Sequence, residues 1–236
     1  MLGRADVARD REARMMAVGV TNSFDTIWKA YYAAFLRAWL REYDRAEAWA
    51  AQAVELAEQR QFAWIAAIAR AALGDARWRL GRVAEGIALL RRGIAEMLEV
   101  EALIAVGFYT ACLAEALERE GAILQALETV EQALQLNSDQ AVFRPEILRV
   151  RGELRFKQGQ TELAEADFRE AIVLAQKMSA KACELRITAS LARMLASADR
   201  RDEAHSMLVE IYNWFTEGFD TADLKDAKAL LDELAT

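Results

Sequence analysis

The sequence contains little of what turns and sheets require: one proline and 11 glycines in 236 residues. Sheet proteins need turns about every 8–12 residues, and Gly, Pro, Asn and Asp build most of them. Ala, Leu, Glu, Arg and Gln dominate here instead, and these residues favour helices. The composition therefore predicts an all-α protein and argues against a sheet-based fold.

The sequence is also short of the residues that build common catalytic and metal sites. It has two cysteines, Cys112 and Cys183, far apart and outside any CxxC motif, and one histidine, His205. This argues against a disulfide scaffold, a zinc site or a catalytic triad, so we expect buried thiols and a packing or surface role for His205. The phosphate-binding motifs GxxxxGK[ST] and GxGxxG are missing as well. We therefore expect no enzyme activity, no metal and no cofactor.

Long apolar runs and excess positive charge are absent too. No stretch of about 18 apolar residues occurs, so the sequence predicts no membrane-spanning helix. The first residues, MLGRADVARDREARMM, lack the apolar core of a signal peptide. The net charge of −7 argues against direct contact with nucleic acid, which needs Lys and Arg to neutralise phosphates. We expect a cytoplasmic location and no membrane partner.

What the sequence does contain is an internal repeat of small residues. Five alanines, 38 to 42 residues apart, set the register: Ala46, Ala84, Ala126, Ala164 and Ala204. Twelve residues before each stands another small residue: Ala34, Ala72, Ala114, Gly152 and Ala192. Between the two small positions lie turn-like segments: REYD, RLGR, REGA, KQGQ and SADR. Each unit is therefore predicted to be a helical hairpin whose two helices cross at these small residues. The hairpins are predicted to stack on one another and form one continuous core.

The predicted domain is a single solenoid over residues 1–236. The five hairpins are placed at 24–61, 62–100, 101–139, 142–179 and 180–217, with a lone helix in 1–20 and a closing helix in 220–235. The N-terminal helix resembles the second half of a hairpin, which suggests either a cap or a piece of a longer solenoid, and we favour the longer solenoid.

The stretch WFTEGFDTADL, residues 214–224, is dense enough in aromatics and acids to suggest a site. We interpret it as the end of the fold instead. The fifth hairpin is expected to end near Glu217, with Gly218 in a left-handed conformation and Asp220 capping the closing helix. Phe219 and Leu224 have the spacing of a hydrophobic staple.

The segments WFTEGFDTADLKDAKALLDEL and RGELRFKQG carry a resemblance to a known family. They resemble the C-terminal tetratricopeptide-type region of bacterial signalling proteins that begin with an adenylate/guanylate cyclase or a DNA-binding domain and continue with a signal-transduction ATPase. The resemblance implies an α-solenoid wound as a right-handed superhelix, with a regulatory interaction role and no catalytic residues. Members usually have Gly in the fifth hairpin turn, where this chain has Ala198 and Asp199.

In tetratricopeptide folds the first helix of each hairpin lines the concave groove. On that basis the candidate protein-binding residues are Trp28, Tyr31, Phe35, Arg70, Phe108, Glu115, Arg149, Glu153, Arg186 and Arg193. Arginines on a groove suit a carboxylate-bearing peptide, because Arg holds carboxylates in bidentate fashion. The alternative, of equal weight, is that these arginines pair with nearby acids such as Glu115 and Glu153.

Three functions follow from this pattern. The first is a regulatory module that binds a protein or peptide segment, including another domain of its parent chain, in the concave groove. The second is a homodimerisation module that uses the aromatic-rich first hairpin, since five bulky aromatics exceed what one helix normally buries. The third is a small-molecule sensor with a pocket inside the superhelix.

Overall fold

The computed structural model describes residues 3–19, 22–103, 105–136 and 142–235, and these form helices joined by short connections. The helices are α1 (Ala5–Ala17), α2 (Ser23–Trp39), α3 (Tyr43–Gln59), α4 (Ala63–Arg79), α5 (Val83–Glu99), α6 (Val106–Arg119), α7 (Ile123–Leu136), α8 (Arg144–Lys157), α9 (Thr161–Lys177), α10 (Lys181–Ser197), α11 (Arg201–Tyr212) and α12 (Ala222–Leu234). No strand occurs in these ranges, which confirms the all-α prediction. Within them, no helix is both long and apolar enough to cross a membrane.

The helices fall into two compact units. The N-terminal unit comprises Ala8–Asp139, and the C-terminal unit comprises Met1–Val7 together with Gln140–Thr236. In the N-terminal unit α2 packs on α3, α4 on α5 and α6 on α7, and α4 also contacts α2 and α6. In the C-terminal unit α8 packs on α9 and α10 on α11, and α10 also contacts α8 and α12. Both units are therefore stacks of helical hairpins in which first helices pack on first helices.

The hairpin turns repeat one backbone geometry. A residue with positive φ ends the first helix of every hairpin: Arg41, Gly81, Gly121, Gly159 and Asp199. The following N–H then bonds to the carbonyl five residues back, as from Glu42 to Arg37 at 2.8 Å and from Arg200 to Leu195 at 2.9 Å. This is the Schellman arrangement, for which Gly is the usual residue. At the fifth turn Asp199 adopts φ +58°, a conformation that Asp tolerates better than most residues.

The small residues predicted at the helix crossings are buried in four of the five hairpins. Ala34 and Ala46, Ala114 and Ala126, Gly152 and Ala164, and Ala192 and Ala204 are all inaccessible or nearly so. The second hairpin differs, because Ala84 is exposed. Its crossing is formed by Gly74 and Gly86, which are also twelve residues apart. The predicted register of this hairpin was therefore wrong by two residues.

The C-terminal motif closes the fold, with three differences from expectation. Helix α11 ends at Tyr212, five residues before Glu217. The N-cap of α12 is Thr221 rather than Asp220, and its hydroxyl donates to the Gly218 carbonyl oxygen at 2.7 Å. Phe219 is 48% exposed and lies beside the ring of Tyr212, and with Thr221 as the N-cap the staple positions fall on Asp220 and Lys225 rather than on Phe219 and Leu224. Gly218 does have the expected positive φ, at +75°.

Residues 3–7 pack on this same C-terminal turn. A Cβ atom on Gly3 would lie 2.9 Å from the ring of Phe215 and 3.0 Å from that of Trp214, so only glycine fits there. A Cβ atom on Gly218 would likewise lie 2.8 Å from the Cβ of Ala5. Phe215 is buried, whereas Trp214 is 42% exposed. In the C-terminal unit, Trp214 and Phe215 thus pack against residues 3–7.

The rest of α1 belongs to the N-terminal unit and is held by ion pairs. Arg9 bonds to Glu42 at 3.0 Å, and the buried carboxylate of Glu12 pairs with Arg37. Arg37 also bonds to Glu42, at 2.5 Å. These contacts fix residues 8–17 against the end of α2 and the start of α3.

Candidate functional site

The aromatic candidates in the N-terminal unit form one cluster of rings. Phe35 of α2 contacts Phe108 of α6, with ring centroids 5.8 Å apart. Tyr31 is buried, and its hydroxyl lies 3.2 Å from that of Tyr109, also buried. Burial raises the pKa of both phenols, so they stay neutral and share a hydrogen bond. The structure thus brings Tyr31, Phe35 and Phe108 together, with Tyr31 in the core and the two Phe rings partly exposed.

Trp28 extends this cluster towards the start of α2, with its ring centroid 5.4 Å from that of Tyr31. Its ring stacks on Tyr32 at 5.2 Å and meets Trp64 edge-on at 5.0 Å. Phe24 contacts Trp28 at 6.2 Å. Phe24 and Tyr32 are 39% and 53% exposed, so this group reaches the surface.

Arg70 and Glu115 of the N-terminal unit are both held in ion pairs. The Arg70 side chain is buried and pairs with Glu58 and Glu96. Glu115 accepts from Arg79 at 2.6 Å. The alternative interpretation, in which groove arginines pair with neighbouring acids, therefore describes Arg70.

The register error in the second hairpin hid two polar candidates. In the other hairpins the candidates include the residue one after the small residue, such as Glu115 after Ala114 and Glu153 after Gly152, and the position four residues further lies on the same helix face. Counted from Gly74 rather than Ala72, these two positions are Asp75 and Arg79. Arg79 bonds to Asp75 at 2.9 Å and lies over the ring of Trp78, 4.3 Å from its centroid. The spacing of the two glycines was the signal in the sequence that could have found them.

In the C-terminal unit, three of the four candidates belong to one polar network. Arg149 is buried and bonds to Glu146 at 2.8 Å and to Glu153 at 2.7 Å. Arg186 bonds to Asp223 of α12 at 2.6 Å. The hydroxyl of Ser190 donates to Glu153 at 2.7 Å. Because Arg149 is buried and paired, reversing its charge would disturb folding as well as binding.

Arg193 differs from the other candidates. It lies on α10, is exposed, and makes no hydrogen bond or ion pair with the residues that the structure describes. Its guanidinium is therefore available to a ligand in a way that those of Arg70, Arg149 and Arg186 are not.

Neither cysteine is reactive in this fold. Both are free and buried, as expected. Burial and the neighbouring Glu146 raise the pKa of Cys183 to about 12, so its thiol stays protonated. Among the described residues no group of three or more His, Cys, Asp or Glu side chains could hold a metal ion.

The comparisons with known proteins agree with the fold. No protein-family model matches the chain. No curated protein matches it either. Several solved structures do match the chain. A thermophilic TPR protein of Thermus thermophilus is 18% identical with a TM-score of 0.64, covering 89% of this chain and 98% of that one.

Two further structures come from regulatory proteins. A signal transduction ATPase with a tetratricopeptide repeat sensor, from Pyrococcus horikoshii, has a TM-score of 0.68 at 15% identity, over 96% of this chain and 34% of that one. The Rap conjugation gene regulator of plasmid pLS20, solved with the Phr* peptide, has a TM-score of 0.67 at 12% identity, over 98% of this chain and 69% of that one. The chain therefore has the fold of a TPR-like helical-repeat solenoid.

Proposed function

We propose that this chain is a regulatory module that binds a protein or peptide segment, with an acidic stretch as the preferred ligand in the C-terminal unit. The observation that carries the proposal is the exposed guanidinium of Arg193, which makes no hydrogen bond or ion pair among the described residues. The neighbouring arginines, Arg149 and Arg186, are already paired with acids. The Rap regulator, which has the same fold, binds the Phr* peptide.

The network around Arg193 suits binding because it is already ordered. Glu153 is held by both Arg149 and Ser190, and Arg186 is held by Asp223. Side chains fixed before binding lose less conformational entropy when a ligand arrives. An acidic residue of the ligand would then gain a bidentate contact with Arg193.

The signalling context is part of the same proposal. Resemblance to cyclase and transcription-factor proteins with an ATPase, and the shared fold with the tetratricopeptide sensor of a signal transduction ATPase, support a sensor or scaffold role in a larger bacterial protein. The ligand is then either a separate peptide or another domain of the parent. We propose no catalytic function and a cytoplasmic location.

The test compares labelled acidic, neutral and basic peptides by fluorescence anisotropy, with the full chain and two variants. Arg193→Glu is expected to weaken acidic-peptide binding by about tenfold or more, which corresponds to about 1.4 kcal/mol. Arg91→Glu, the same change on the exposed side of α5, is the matched control and should bind like the wild type. Equal affinity for all three peptides, or an unchanged affinity in Arg193→Glu, would contradict the proposal.

A further inference from the structure

A second surface, in the N-terminal unit, is apolar and open. We call it the aromatic cleft and define it by Phe24, Phe62, Trp64, Val100 and Leu103. The ring of Phe24 contacts those of Phe62 and Trp64, at 5.8 and 6.4 Å between centroids. Phe24, Val100 and Leu103 are 39%, 44% and 53% exposed. Apolar side chains of this size are rarely gathered on a surface without a partner.

The cleft has room for a large side chain. A space of about 550 Å³ lies between the α3–α4 connection, with Phe62 and Trp64, and the α5–α6 connection, with Val100 and Leu103. Volumes of about 300–1,000 Å³ are typical of sites that enclose small ligands or side-chain anchors. Gln61, Ala63 and Val100 also line a neighbouring space of about 450 Å³, so the two spaces adjoin.

The α5–α6 connection builds one wall of the cleft. The connections α3–α4 and α9–α10 span residues 60–62 and 178–180, whereas α5–α6 spans 100–105. Glu101 and Ala105 in this longer connection have φ of +53° and +60°, in the left-handed region that most residues avoid. This backbone keeps Val100 and Leu103 on the surface beside Phe62 rather than in the core.

The charges around the cleft leave a negative excess. In the neighbouring space Arg70 pairs with Glu58 and Glu96, and Arg92 bonds to Glu96 at 2.8 Å. Both arginines are therefore neutralised. Glu99 and Glu101 remain exposed, with no ion pair among the described residues, at the edge of the apolar space. A ligand that fills the cleft meets uncompensated carboxylates beside an apolar wall.

We propose that the aromatic cleft binds a peptide segment of a partner protein in which a bulky apolar side chain is flanked by Lys or Arg. The apolar side chain would lie between Trp64 and Leu103, and the basic residue would pair with Glu99 or Glu101. This proposal does not rest on the surface around Arg193, from which it differs in place and in the charge of the ligand.

A second copy of the chain fits this surface less well. In a two-fold dimer the same patch lies on both sides of the interface, so the rim carboxylates of both copies would approach one another. Like charges brought together at an interface oppose association. The acids at the rim therefore favour a basic partner over self-association.

The test uses the full chain and a flexible Gly-Ser peptide that carries one Trp between two Lys residues. Two matched peptides replace Trp by Ala or both Lys by Glu. We expect the parent peptide to bind at least about tenfold more tightly than either. Its affinity should also fall as salt is raised, because the contact with Glu99 and Glu101 is exposed.

Variants locate the site. Leu103→Ala and Phe24→Ala should each weaken the parent peptide by about tenfold or more, and Glu99→Lys should abolish its preference over the Glu-bearing peptide. Leu124→Ala and Glu128→Lys, exposed positions on α7, are the matched controls and should bind normally. Equal binding of all three peptides, no binding of any, or full affinity in the cleft variants overturns the proposal. So does a concentration-dependent dimer in light scattering that Phe24→Ala abolishes, since the occupant would then be a second copy.

Discussion

Gly74 and Gly86 face each other where α4 crosses α5: a Cβ atom on Gly86 would lie 2.8 Å from the carbonyl oxygen of Gly74 and 2.5 Å from the Cβ of Trp78. A Cβ on Gly74 would lie 2.7 Å from the backbone nitrogen of Leu90. These neighbours are backbone or near-backbone atoms, so no side-chain rotation relieves the contact. The two helices touch along their backbones, and only glycine permits it.

Gly86→Ala is therefore expected to destabilise the protein by about 1–3 kcal/mol, the usual range for overpacking a core. The loss is net, because alanine favours a helix over glycine by about 1 kcal/mol. Ala84→Leu, two residues earlier on the exposed side of α5, should change stability by less than about 0.5 kcal/mol. Urea unfolding followed by circular dichroism measures both, and the reverse ranking would restore Ala84 as the crossing residue.

Arg186→Met should loosen the closing helix. Arg186 links α10 to Asp223 in the first turn of α12, and both side chains are partly buried. Removing the guanidinium should cost about 1–3 kcal/mol, less than the loss of a fully buried pair. Amide hydrogen exchange should rise in residues 222–234 and stay unchanged in α2–α5. Arg193→Met on the same helix, exposed and unpaired among the described residues, is the control and should leave exchange as it is.

The Tyr31–Tyr109 hydroxyl pair should show strong coupling. Changing either residue to Phe leaves the other buried hydroxyl without its partner, at a cost of about 1–3 kcal/mol. The double variant should cost less than the sum of the two single changes, because no orphaned hydroxyl remains. Unfolding free energies of the four proteins give the coupling directly. Simple additivity would mean that water or another group satisfies the remaining hydroxyl.

Acid should weaken an exposed network between α9 and α11. The hydrogen bond from Arg200 lowers the pKa of Glu165 below its usual 4.5. Partial burial opposes this shift, and a second hydrogen bond, from Arg169, adds to it. Hydrogen bonds from Arg169 and Arg200 lower the pKa of Glu203 likewise. Since the folded-state pKa is the lower one, this stabilisation is present above about pH 4.5 and is lost as the pH falls through the folded value.

Carboxyl NMR titration checks this directly. Arg200→Met should raise the pKa of Glu165 towards its ordinary value, because the hydrogen bond from Arg200 is the largest cause of its lowered pKa. The neighbouring Arg201, which donates to the carbonyl of Glu233, provides the control variant Arg201→Met. A Glu165 titration that does not respond to Arg200→Met would show that the ion pair does not persist in solution.

Four hairpin crossings could be predicted because their pairs of small residues, twelve apart, recur at the period of about 40 residues from hairpin to hairpin. The second hairpin offers several such pairs, among them Ala72 with Ala84 and Gly74 with Gly86. The neighbouring crossings at Ala46 and Ala126 are each 40 residues from Gly86, so the period itself favours the glycines. The prediction treated glycine and alanine as equally small and therefore chose the alanine pair. Asp75 and Arg79 were omitted for the same reason, because their positions are counted from Gly74.

The pairing of Arg70 and Arg186 could not be predicted in the same way. Arg70 finds its partners 12 and 26 residues away, and Arg186 finds Asp223 37 residues away. All three partners lie on a helix other than that of the arginine, and local spacing carries no information on such contacts. Sequence could nominate Arg149, Arg186 and Arg193 as equals, and only the fold distinguishes the exposed one.

The contact of residues 3–7 with Phe215 and Gly218 has a practical consequence for dissecting the molecule. A fragment that starts at residue 140 would keep every hairpin of the C-terminal unit, yet it would uncover Phe215 and the surface that Gly3 and Ala5 fill. Such a fragment is expected to aggregate or melt early unless the missing stretch is supplied in trans or joined to the other terminus. A stable fragment of the C-terminal unit is therefore expected to need residues 3–7 in addition to the segment that begins at residue 140.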